Sequence, residues 1–145
     1  MRINEYNTKA INDVYKNAHI AMQSISDLLP AITDEPLKKE LLSEYEEYEN
    51  VINGISQYMK ENSIEPEDIG IMKKAMLWGS IKMKTFFDKS RNQAAEMMIK
   101  GTVMGINELT AMKNEGQNLE PEILSLLEEL LELEQSFEKR LRKFL

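Results

Sequence analysis

The chain has 145 residues, 42% hydrophobic and 30% charged, which is enough apolar material for one globular domain spanning 1–145 and excludes disorder. Its net charge of −7 argues against general nucleic-acid binding, which needs a basic surface to displace counterions. With no Cys there is no disulfide framework, thiolate zinc site or thiol nucleophile, and six Gly and four Pro are too few for a loop-rich β protein.

The polar start, Met1 to Asn7, lacks the apolar core of a secretory signal, and no run approaches the roughly 20 apolar residues of a membrane span. A cytoplasmic, membrane-free protein is expected. The first helix is predicted from about Thr8, with Asn7 or Thr8 as cap, to about Ile32. Ile11, Val14, Tyr15, Ala18, Ala21, Met22, Ile25, Leu29 and Ile32 share one stripe of it. That stripe stays in register past Pro30, so a kink is expected there and not a stop. Thr33 or Asp34 caps the second helix, with Pro36 in its first turn. Leu41, Tyr45, Tyr48, Ile52, Ile55 and Met59 follow at steps of four and three, the pattern of a bundle helix. So short a connection makes the first two helices antiparallel.

A third helix is predicted from Asp68 to Phe87, with Ile69, Met72, Met76, Gly79, Met83 and Phe87 on one face. Ser90 caps a fourth, from about Arg91 to Lys113. Ala94, Met98, Gly101, Gly105, Leu109 and Met112 line its core side, and further apolar residues occupy most of the remainder. Such a helix should be covered on nearly all sides, by the third helix or by a second subunit. Gly101 and Gly105 each cost about 1 kcal/mol against Ala, which implies close packing at that face. Pro121 falls in the first turn of the last helix, whose stripe Leu127, Leu130, Leu131, Phe137 and Leu141 is interrupted by Glu134. The fold class is therefore all-α: an up-down bundle of four long helices, with a helical crossover between the second and fourth helices in sequence.

Three stretches carry a resemblance: Ile11-Asn12-Asp13-Val14-Tyr15, then Asp34 to Leu42, then Met76 to Gly105 through Asp88-Lys89-Ser90 into Ala95-Glu96-Met97-Met98. In pattern and punctuation the chain resembles small bacterial ferritin-like bundles of unknown function. That resemblance implies a ferritin-like fold and implies no activity.

Di-iron and di-manganese bundles need inward carboxylates and two Glu-x-x-His motifs, whose i, i+3 spacing aims both ligands at one metal. The chain contains a single His, His19, on the flank of its helix. No metal or cofactor is expected. The alternative is a divergent metal-binding or oxidative-stress bundle holding Fe or Mn on a minimal set of Glu44, Glu47 and Glu134, which would make the chain a di-metal oxidoreductase. The bland reading of Glu134 is a buried carboxyl hydrogen-bonded to Tyr45, Tyr48 or Thr102. Phosphate loops and nucleophile elbows are absent, so the protein is expected not to be an enzyme and to have no catalytic residue.

Charge is uneven. Residues 70–91 carry a net +5, and Asp34 to Asp68 a net −8. Opposite the core stripe of the third helix lie Ile71, Leu77, Trp78 and Ile81, interleaved with Lys74 and Lys82, a composition suited to a contact surface. The expected function is that of an interaction or structural protein forming homo-oligomers, a dimer in the simplest case, with the basic helix of one copy meeting the acidic helix of the next.

Overall fold

A computed structural model of the chain describes residues 4–67, 90–116 and 118–145. Among these residues the regular secondary structure is all helical, with no strand. Four long helices are present: α1 (Glu5–Leu28), α2 (Glu35–Glu61), α3 (Arg91–Glu115) and α4 (Pro121–Leu141). None is long and apolar enough to cross a membrane. The predicted third helix, with its Trp78 surface (Ile71, Lys74, Leu77, Trp78, Ile81 and Lys82), lies outside the described residues.

Each start has a physical cause. Asp34 caps α2 by accepting from the Leu37 amide at 3.0 Å, and Pro36 occupies the first turn, where an N–H has no intrahelical partner. Ser90 and Gln93 form a reciprocal capping box on α3. Helix α1 starts earlier than the sequence suggests, because Asn4 caps it by accepting from the Asn7 amide at 2.8 Å. Asn7 is thereby freed for a different task. The expected continuation past Pro30 is also corrected. Pro30 has no N–H to give and crowds the preceding turn, so α1 ends at Leu28 and the chain tightens into a 3₁₀ turn at Leu29–Ala31.

Long-range hydrogen bonds fix the helix directions. At one end of the bundle, Tyr6 of α1 reaches the Glu115 carbonyl at the end of α3. Buried Asn7 accepts from the Glu120 amide at 2.9 Å and donates to the Asn118 carbonyl, holding the α3–α4 connection. One turn further along α1, Asn12 accepts from the Glu67 amide at 2.9 Å, holding the exit of α2. Tyr58, near the end of α2, donates to Glu120 at the start of α4. At the opposite end, the Arg91 guanidinium that opens α3 lies 5.8 Å from the centre of the Phe144 ring that follows α4. Helices α1 and α4 therefore run one way, and α2 and α3 the other. The chain leaves α2 at one end and enters α3 at the other.

The core is built from 3- and 4-spaced stripes: Ile11, Val14, Ala18 and Ile25 from α1, Leu41, Ile55 and Met59 from α2, Leu109 from α3, and Leu127, Leu130, Phe137 and Leu141 from α4. Burying such side chains contributes roughly 1.5–3 kcal/mol each. On α2 the stripe differs from the expectation in one respect. Glu44 is fully buried and Tyr45, expected among the buried polar groups, is only half-buried. The two are adjacent in sequence, and the deeper position falls to Glu44 because Arg140 of α4 comes down on it. Arg140 Nη2 pairs with Glu44 Oε1, while the same side chain reaches Glu40 at 3.0 Å and Glu47 at 3.3 Å.

Removing one partner of a buried pair leaves an uncompensated charge, at roughly 3–5 kcal/mol, whereas removing both is often neutral. Arg140→Leu is thus predicted to lower the unfolding free energy by about that much, and adding Glu44→Leu to restore most of it. Urea denaturation of the two variants checks both, and a harmless single Arg140→Leu change would contradict the assignment.

Candidate functional site

Helices α3 and α4 form the most extensive pairing, followed by α1 and α2, whereas α1 and α3 meet over a smaller area. Between these two lies a cleft of about 370 Å³. Asp13, Lys16, Asn17, Ile20, Ala21 and Ser24 of α1 form one wall, and Met97, Met98, Lys100, Gly101, Thr102, Met104, Gly105 and Glu108 of α3 the other. Tyr48, Phe137 and Glu134 complete the lining from α2 and α4. The volume suits a small molecule and not a macromolecular segment.

Glu134 belongs to the same stripe as Leu130, Leu131 and Phe137, and so is carried inward by the apolar pattern of α4; it is 1% exposed. Tyr48 donates to its Oε2 at 3.3 Å, and Oε1 has no hydrogen-bond partner among the described residues. Burial pushes the carboxyl up to about 8; the Tyr48 hydrogen bond opposes this shift and the nearby charge of Glu108 adds to it. At neutral pH this side chain is therefore mostly protonated. Tyr48, equally buried, is raised well above its ordinary value by burial and then by the Glu134 charge, so it remains a hydrogen-bond donor.

Gly105 is what lets the carboxyl sit there. A Cβ at that position would lie 2.6 Å from Glu134 Oε1, closer than any real contact. The close packing inferred from the glycines is thus explained at Gly105 by a carboxylate tip and not by a helix backbone. Gly101 lies on the cleft wall. Across from Gly105, Asn17 donates from Nδ2 to the Gly105 carbonyl at 3.2 Å, and its Oδ1 is buried without a hydrogen-bond partner among the described residues. Thr102 and Ser24 each donate to the carbonyl four residues before them, at 2.7 Å, and contribute carbon to the walls.

The sequence-derived candidates separate into two places. Glu134 and Tyr48 meet in the cleft. Glu44 and Glu47 meet Arg140 instead, whose guanidinium supplies their positive charge. Among the described residues no group of three or more His, Asp or Glu side chains is arranged to hold a metal ion. His19 is half-buried and meets the Tyr15 ring at a tilt of 49°, with 5.4 Å between ring centroids. Asn17 was not singled out by sequence reasoning. Its one signal was negative: a polar residue beside Ala18, at the edge of an otherwise apolar stripe.

A carboxyl titrating near neutrality can pass a proton, yet the group bonded to Glu134 is a Tyr that holds its own proton. The arrangement offers binding polarity at the base of an apolar cavity. No family model, curated protein or solved structure matches the chain.

Gly105→Ala is predicted to lower stability by about 1–2 kcal/mol in the native background, where the added methyl displaces the carboxyl. In a Glu134→Ala background the sign reverses, and the helix-propensity gain of about 1 kcal/mol appears. A double-mutant cycle by chemical denaturation reads the difference, and additive effects would contradict the contact.

Proposed function

We propose that this chain is a non-catalytic bundle of ferritin-like connectivity that holds a small molecule in the cleft between α1 and α3. One observation carries the reading: two buried oxygens, Glu134 Oε1 and Asn17 Oδ1, line a cavity of about 370 Å³ with no hydrogen-bond partner among the described residues. Buried polar atoms ordinarily have partners, and each one left alone costs roughly 1–3 kcal/mol. Two on one cavity mark a place where a ligand completes the bonding. Glu134 could be replaced by Leu in a bundle that needed only to fold.

The helix directions support ferritin-like connectivity: two antiparallel pairs, with the chain passing from one end of the bundle to the other between α2 and α3. In such bundles the inward positions midway along the helices carry the chemistry. Here they carry Asn17, Tyr48, Gly105 and Glu134, a set that binds polar organic groups better than it binds iron. The arginine on Glu44 and Glu47 makes a cation there redundant.

Phenethyl alcohol and indole are small uncharged probes that fit the volume. Titrating either into uniformly labelled protein should shift the backbone amide signals of Asn17, Gly101 and Gly105 in two-dimensional NMR spectra. Ala21→Trp, which fills the cleft from α1, should abolish those shifts while leaving the protein folded. Shifts confined to other surfaces, or shifts that persist in Ala21→Trp, would count against the cleft as the binding site.

A further inference from the structure

The base of the cleft restricts the chemistry of its occupant. Both unpartnered atoms are acceptors: Glu134 Oε1 when the carboxyl is ionised, and Asn17 Oδ1 always. Both side chains lie against Gly105, Asn17 through its bond to the carbonyl and Glu134 over the missing Cβ, so the two polar groups converge on one residue of the cleft wall. With Glu134 ionised, a ligand offering a carboxylate or phosphate would bring lone pairs to lone pairs. The rings of Tyr48 and Phe137, edge to face at 6.3 Å between centroids, line the same cavity, and aromatic faces attract cations. Beyond them Met97 and Met98, both buried, give an adaptable apolar wall.

Resting on the reading of the cleft as a binding site, we propose that its ligand is a small organic amine with an apolar tail. Its ammonium donates to Glu134 Oε1 and Asn17 Oδ1, and its tail lies along Met97, Met98 and Phe137. An ammonium has three donors and carries the counter-charge that an ionised carboxylate needs when buried. A neutral alcohol has one donor and no charge.

Proton balance follows from the state of the empty site. Near neutral pH Glu134 holds a proton, and the arriving ammonium displaces it, so about one proton leaves for each amine bound. The groups that line the cleft with the carboxyl are Asp13 and Lys16 from α1, Tyr48 from α2, and Lys100 and Glu108 from α3. Lys16 is engaged by Glu67, and Tyr48 keeps its proton throughout the working range. Amine binding should therefore tighten as pH rises toward about 8 and level off above it.

The test is calorimetric titration of the full chain with three matched probes: phenethylamine, phenethyl alcohol and hydrocinnamate. The expected result is that above pH 8 the amine binds at least about tenfold tighter than the alcohol, with an advantage that shrinks by about tenfold per pH unit toward pH 6. Glu134→Gln should bring the amine down to the level of the alcohol. Asn17→Leu, checked for folding by circular dichroism, should weaken the amine several-fold and supplies a second reading if Glu134→Gln proves unstable. Binding of the alcohol or hydrocinnamate as tightly as the amine, or amine binding indifferent to both variants, would overturn the amine assignment and leave the cleft in place. Failure of all three probes to bind would overturn the cleft itself, and the amine with it.

Discussion

A carboxyl group has been taken out of water in the middle of this bundle, and the surrounding residues are arranged around that fact. Glu134 stands in the apolar stripe of α4 and is 1% exposed. Placing an ion there without a partner would be prohibitive, so the group holds its proton until conditions or a ligand change that. Tyr48 satisfies one oxygen from α2. Gly105 removes the methyl that would occupy the other oxygen's place. Asn17 crosses from α1 to the Gly105 carbonyl of α3. The four residues come from four helices, so the site exists only when the bundle is assembled.

The second buried glutamate shows what a structural solution to the same problem looks like. Glu44 is also fully buried, yet an arginine lies on it and on its neighbours Glu40 and Glu47. Paired in this way, it ties α2 to the end of α4. Among the described residues Glu134 has no such cation, although Arg140 is less than two turns away on the same helix. The contrast between the two carboxylates is the reason for assigning a ligand to one and a packing role to the other.

Much of the fold was legible because helix periodicity and capping are local. Asp34, Ser90, Pro36 and Pro121 mark helix starts through their own backbone chemistry, and the leucines of α4 place Glu134 inward by spacing alone. Pairings between distant segments were not legible. Spacing alone places Tyr45 in the stripe of α2, and Arg140, far along the chain, pairs with Glu44 in the deeper position instead. Asn7 reads as a helix cap and Asn12 has no place in the apolar stripe, and both are buried because each completes the hydrogen bonding of an incoming loop. Pro30 was misjudged because the apolar register continues beyond it, whereas the missing N–H acts on the backbone regardless of pattern. The cleft itself is a gap between two helices, and no one helix's sequence encodes a gap.

The account depends most directly on the state of one proton. Carbon-13 NMR of protein labelled at the glutamate side-chain carboxyl, with Glu134→Gln to assign the signal, follows that proton across the pH range. The structure predicts that the Glu134 carboxyl titrates at about 8, raised by burial from the ordinary value of 4.5. A Glu134 signal that titrates at that ordinary value would place the carboxyl in water and would contradict the buried site.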